Sequence, residues 1–421
     1  MVVAGTGVLF ALFGSLAFAA AGRLDPTFGV GGKVTTDFTS GYDIADGVAV
    51  QADGKMVVVG MAGGRNPKFA LARYNANGSL DTSFGQDGKV TTDFTSGFDG
   101  AAAVALQVND KIVAAGEAGG RNPKFALARY NPDGSLDMSF GQGGKVTTNF
   151  TRYEDGAHAV AIQRDGRIVA AGMAGGGGDP KFALARYNVD GSLDTSFGKE
   201  GRVVTDFTSY EDRVFFGLAI QRNGKIVAAG VAGAGGPDSK FALARYNRNG
   251  SLDTSFGTRG KVTTDFTSNA DSAFGLGIQR NGKIVIAGES GGGGANPRFA
   301  LARYNTNGSL DKSFGGDGKV TTDFSAYEDG ASNLAFQGNG KIVAAGVAGY
   351  QGPDPKFALT RYDRDGSLDM SFGRDGKVTT DFTPQADYAD GLTIQADGKI
   401  VAEGVAGEGS SNPKFAVARY R

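Results

Sequence analysis

The sequence predicts an all-β fold, a seven-bladed β-propeller of four-stranded blades, and three observations predict it. A unit of 56 to 59 residues recurs around the chain, each unit holds short apolar runs of strand length, and each chain end lacks what the other supplies. The recurrence is marked by Phe-Gly at Phe28, Phe84, Phe140, Phe197, Phe256, Phe314 and Phe372. In the third copy the unit reads FGQGGKVTTNF, then DGAHAVAIQRDGRIVAAG, a glycine-rich loop, and KFALARYN.

Four strands follow from that unit. AVAIQ and RIVAAG are apolar runs joined by Asp165-Gly166, which predicts a two-residue type I′ hairpin with both central residues at positive φ. Six of the seven hairpins carry Asp-Gly or Asn-Gly, and the second carries Asn109-Asp110. In KFALARY, large Phe and Leu alternate with Ala, so one face is bulky and the other admits a neighbouring sheet. GKVTTDF is polar and β-branched, as an outer edge strand tends to be. A four-stranded sheet cannot bury both faces alone, so the units must stack as a solenoid or as a ring. Residues 33 to 38 form an outer strand with no preceding partner, while the chain stops after FAVARY, a third strand without its outer strand. A ring closed by the N-terminal strand completing the last blade satisfies both ends; a solenoid would need polar capping repeats, and none is visible in the sequence.

The recurring LDxSFGxxGKVTTDF and xDGKIVAAG segments resemble the delta-60 repeat family of bacterial propeller-type repeats, over residues 23 to 421. The resemblance implies a β-propeller, often on exported proteins, and no particular reaction, so no catalytic residue is carried over.

Lys+Arg 43 against Asp+Glu 44 implies no basic face for nucleic acid or anionic lipid. With no cysteine and a single histidine, His158, the sequence excludes thiolate chemistry, disulfides, Cys/His zinc sites and any Ser-His-Asp triad not built on His158. No cofactor and no metal site is expected. Asn131 to Asp137 resembles the start of an EF-hand loop but lacks its glycine and terminal glutamate, and GESGGGG is not followed by the lysine and helix of a phosphate loop. Residues 1–22 are uncharged and contain Ala17-Phe18-Ala19, an A-x-A pattern. They read as a signal peptide or other N-terminal apolar segment, with residues 23–421 a single propeller domain, exported to the extracellular or periplasmic space and not membrane-inserted after cleavage. A membrane anchor is the alternative.

The two faces of the ring are treated differently by the repeats. On one, the inner-to-second-strand turns and the LDxSFG connections have uniform lengths, which reads as structure with the Phe buried. On the other, the second-to-third-strand loops vary from AGGRNP (62–67) to AGYQGPDP (348–355) and AGEGSSNP (406–413), and this variable-loop mouth is the expected site. One position there is invariant among the copies: Asp43, Asp99, Asp155, Asp212, Asp271, Asp329 and Asp387. Together with Tyr153, Glu154, Tyr210, Glu211, Tyr327 and Glu328 they are candidate ligand-binding residues for a cation or polyol; the competing reading makes each aspartate a turn cap, which a uniformly repeated device favours. Third-strand arginines, Arg73, Arg129, Arg186, Arg245, Arg303, Arg361 and Arg419, are expected to pair with outer-strand Asp93, Asn149, Asp206, Asp265, Asp323, Asp381 and Asp37. The functional expectation is a non-enzymatic binding scaffold for a carbohydrate, a peptide or a surface protein. The alternatives are a hydrolase or lyase using mouth carboxylates, and a purely structural surface protein. A catalyst should show a deep pocket with converging carboxylates of raised pKa.

Overall fold

The computed structural model describes residues 21–236, 238–294 and 296–421. The apolar segment of residues 1–22 therefore lies outside them, except for its last two residues. Every regular element among the described residues is a strand, and the strands form seven four-stranded antiparallel sheets. In blade 1 these are the inner strand Asp43–Val50, the second strand Met56–Ala62, the third strand Lys68–Tyr74 and the outer strand Lys89–Thr92. Blade 7 takes its outer strand from the start of the chain: Lys33–Thr36 pairs with Lys414–Tyr420, and Val34 lies opposite Val417. The residues just before that strand complete the blade further. The Asp25 N–H donates to the Arg419 carbonyl at 2.8 Å, and the Asp25 carboxylate accepts from Arg419 and Arg421. RLDPTFG is thus the seventh copy of the LDxSFG connection, carried at the opposite end of the chain.

The core lies between blades, and the Phe/Ala alternation of the third strand places it there. Phe69 and Leu71 pack with Ala101, Ile112 and Ala114 of blade 2, while Ala70, Ala72 and Tyr74 of the same strand receive Val401, Phe415 and Val417 of blade 7. Tyr74 is fully buried and its hydroxyl donates to the Thr36 hydroxyl at 2.7 Å; the same Tyr–Thr bond recurs between every pair of neighbouring blades, so each buried phenol is satisfied. The Phe of each Phe-Gly is buried, as expected.

Two local expectations are corrected. The inner hairpins are not two-residue type I′ turns. In blade 1 the Gly54 N–H donates to the Gln51 carbonyl and only Gly54 takes positive φ, at 84°, while Asp53 folds back to accept from the Lys55 N–H at 3.0 Å. This is a type I turn followed by a left-handed residue, and it needs one glycine rather than two permissive positions. In blade 2 that left-handed residue is Asp110, at φ 60°.

The arginine pairing is also different. Third and outer strands pair Phe69 with Thr92 and Ala72 with Lys89, so Arg73 lies at the far end of the sheet from Asp93. Arg73 instead bonds Asp81 of LDxSFG at 2.8 Å, with its guanidinium 4.5 Å from the centre of the Phe84 ring. The buried pair repeats as Arg129–Asp137, Arg186–Asp194, Arg245–Asp253, Arg303–Asp311, Arg361–Asp369 and Arg419–Asp25. Asp93, Asp206, Asp265, Asp323, Asp381 and Asp37 pair with the basic residue that opens the third strand, as Asp93 does with Lys68 at 2.9 Å, while Lys124, opposite Asn149, bonds the Thr151 carbonyl.

Candidate functional site in the channel

The seven aspartates at the first or second residue of the inner strands, Asp43, Asp99, Asp155, Asp212, Asp271, Asp329 and Asp387, are fully buried. Asp155 accepts from the Phe150 N–H at 2.9 Å, the Thr151 N–H at 3.0 Å and the Thr151 hydroxyl at 2.9 Å, and from the Gly175 N–H of the neighbouring variable loop at 3.2 Å. The first three bonds recur at the other six. These carboxylates hold the loops of the variable face and do not stand as an open ring at its mouth. Burial raises the pKa of Asp43, Asp271, Asp329 and Asp387 against the pull of their N–H donors.

Of the accompanying residues the tyrosines sit on the loops and the glutamates begin inner strands, spread over three blades. Tyr153, Tyr210 and Tyr327 are each about half exposed. Glu211 pairs with Arg213, and Glu328 accepts from the Gln351 amide at 3.1 Å. Glu154 and Glu328 each face a glutamate from the second strand of the preceding blade, Glu117 and Glu289, whose pKa values burial and the facing carboxyl push up to about 7.

A bulge in every inner strand builds a second set of residues that repeat reading did not single out. The register slips between Ala45 and Gly47 and at the corresponding place in the other blades. The extra residue is Asp46, Ala102, His158, the pair Phe215-Phe216, Phe274, Ser332 and Asp390 in turn, and a bulge re-aims its side chain. The glycine closing each second-strand motif makes the bulge possible: a Cβ at Gly60 would lie 1.9 Å from the Ile44 carbonyl oxygen. Asp46, Ala102, His158 and Phe216 line a central cavity of about 120 Å³.

This channel breaks the sevenfold symmetry. On one side His158 stacks on Phe215 at 6.1 Å and Phe215 meets Phe274 at 5.0 Å. His158 Nδ1 lies 2.9 Å from the Val214 carbonyl, so Nδ1 carries the hydrogen and Nε2 is left as an acceptor. Burial lowers the pKa of this ring, which keeps it neutral. A Cβ at Gly156 would lie 2.9 Å from both Nε2 and a Glu117 carboxyl oxygen, so those two groups are neighbours.

On the other side, where blade 7 meets blade 1, the lining is acidic. Glu403 replaces the Ala or Val that the other second strands carry, is fully buried, and has no partner for either carboxyl oxygen. It passes over Gly391, whose added Cβ would lie 1.9 Å from Glu403 Oε1. Asp46 and Asp390 are half-buried. Burial, with repulsion from neighbouring carboxylates, pushes Asp390 up to about 7 and Asp46 and Glu403 well above the usual range. Toward the variable-loop mouth, the Tyr42 hydroxyl donates to Glu408, and Tyr388 packs edge-on against Tyr350 at 5.7 Å. The signal in the sequence was the departure of KIVAEG from KIVAAG.

On the uniform-turn face, two hollows of about 790 and 540 Å³ are lined by arginines, among them Arg280 and Arg364 in one and Arg164, Arg222 and Arg248 in the other. Near-zero net charge thus conceals a local basic arc. The buried arginines of these hollows, Arg303 and Arg186, are already paired with Asp311 and Asp194.

A family model described as a domain of unknown function, the DUF5122 beta-propeller, matches residues 51–84, 107–140, 163–197, 221–256, 279–314 and 337–372. The chain belongs to this family. Each matched stretch of the DUF5122 propeller runs from the end of an inner strand to the Phe of Phe-Gly, so the inner strands that line the channel fall outside the matches. No curated protein matches the chain. Among solved structures, virginiamycin B lyase from Staphylococcus aureus is similar at 8% identity and a TM-score of 0.55, over 92% of this chain and 98% of that one. The polysaccharide lyase Uly1 is similar at 12% identity and a TM-score of 0.50, over 89% of each chain. At these identities the DUF5122 propeller shares their fold, and the likeness extends no further.

Proposed function

We propose that this DUF5122 propeller is an exported, non-enzymatic binding scaffold that takes a carbohydrate, a peptide or a surface protein at the variable-loop mouth of its channel. One observation carries the reading: the near-identical blades differ from one another at residues lining the channel and its variable-loop mouth, among them Tyr42, Asp46, Tyr388, Asp390, Glu403 and Glu408 where blade 7 meets blade 1. A repeat kept only for structure has no reason to concentrate its exceptions. The delta-60 likeness of the motifs is in keeping with an exported protein. A screen of glycans and peptides against residues 23–421 tests the reading. Binding should be lost in Tyr388→Ala with the melting temperature unchanged, and a ligand held equally by that variant sinks the mouth as the site.

A lyase is the second reading, favoured by the free Nε2 of a neutral His158 beside Glu117. Of the two lyases that share the fold one is a polysaccharide lyase, which makes polysaccharides the substrates to try. Formation of unsaturated product by the parent and not by His158→Ala would establish it; no product from the parent removes it.

A further inference from the structure

We propose that the acidic seam between blades 7 and 1 binds a protonated primary amine on a slender chain, as on a lysine side chain or an alkyl polyamine. This rests on the reading of the variable-loop mouth as the ligand face and names the chemistry taken there.

Three observations lead to it. Asp46 lines the channel cavity, Glu403 reaches over Gly391 in its wall, and neither they nor the neighbouring Asp390 have a hydrogen bond or ion pair among the described residues; both Glu403 oxygens are buried and unpartnered. Buried carboxyl groups are retained where something supplies their missing donors, since each unsatisfied one is costly. Burial and mutual repulsion hold protons on them, as expected of negative charge without a counter-ion. Second, the approach from the mouth passes Tyr42 and Tyr388 beside Glu408, and aromatic faces next to carboxylates attract ammonium groups. Third, the cavity is small, about 120 Å³ with Gly47, Ala102 and Ala103 in its wall, which suits a slender alkyl chain.

A compact metal ion fits less well. Among the described residues no three His, Asp or Glu side chains are grouped closely enough to hold one, whereas one or two carboxyls suffice to hold an ammonium.

The test is calorimetric titration of residues 23–421 with Nα-acetyl-lysine N-methylamide and with the norleucine analogue, which keeps the chain and loses the charge. The lysine probe should bind at least tenfold more tightly than norleucine. Asp390→Asn should weaken it tenfold or more, and so should Glu403→Ala, which installs the alanine that five other blades carry and so keeps the fold. Equal affinity for the two probes, no binding of the lysine probe, or undiminished binding by both variants overturns the inference. A glycan or neutral peptide that binds the parent and is lost in Tyr388→Ala, with the lysine probe silent, overturns the amine alone; silence of every ligand overturns the mouth as well.

Discussion

At the scale of single residues, repetition separates side chains that hold the structure from those that do not. Asp155 repeats in all seven blades and satisfies backbone donors; Asp155→Ala leaves buried N–H groups unpaired and should cost about 1–3 kcal/mol, read as a lower midpoint in denaturant. Glu403 occurs once and satisfies nothing. Glu403→Ala should therefore raise stability, by about 1–3 kcal/mol. The gain should depend on pH. A carboxyl whose folded pKa is raised is neutral in both states below about pH 4 and there costs the fold little. As pH climbs past the unfolded value the unfolded chain ionises first and the fold loses ground. Melting curves of the two proteins should diverge between pH 4 and 8; a constant difference would mean that Glu403 has a counter-charge.

At the scale of the element, the second strand and the bulged inner strand form one device. The glycine of KIVAAG is a packing requirement, since a Cβ at Gly172 would meet the Gly156 carbonyl oxygen at 1.8 Å and the strand cannot retreat. Gly172→Ala should cost about 1–3 kcal/mol by overpacking and shift the bulge that presents His158. Denaturant unfolding checks the first effect and the His158 ring resonances the second. The third strand with LDxSFG forms another device. Burial raises the Asp137 carboxyl, but bonds from Lys111, Ser139 and Arg129 reverse that and hold it well below the usual range. Its contribution is present above the unfolded pKa and lost only in strong acid. Asp137→Ala leaves Arg129 buried without its partner and should cost about 3–5 kcal/mol in the same assay.

At the scale of the whole molecule, stability depends on closure. Removing residues 21–38 takes from blade 7 its outer strand, its buried Phe28 and the Asp25 partner of Arg419. The open ring should melt at lower temperature and be cut by protease at blade 7 first; a truncated protein with the parent's melting curve would show that the ends contribute nothing. The depressed aspartates of seven buried pairs lose their contribution only in strong acid, whereas the seam carboxyls weaken the fold as pH rises toward 7. Maximum stability is therefore expected in mild acid, and a melting series across pH locates it.

Sequence by itself determined the blade count, the strand order, the closing pair near Val34 and Val417 and the burial of the Phe-Gly ring, because each follows from a local pattern repeated seven times. Only the tertiary structure decided which charges meet. Arg73 chose Asp81 over Asp93 through antiparallel register, and register is a property of two strands rather than one. The channel lining escaped the sequence for a related reason: a one-residue bulge reverses which side chain faces inward, and nothing in DIADGVAV marks where the slip falls. Bringing Asp46, Asp390 and Glu403 together needed the ring to close, since residues more than 340 apart in the chain become neighbours only when its ends meet.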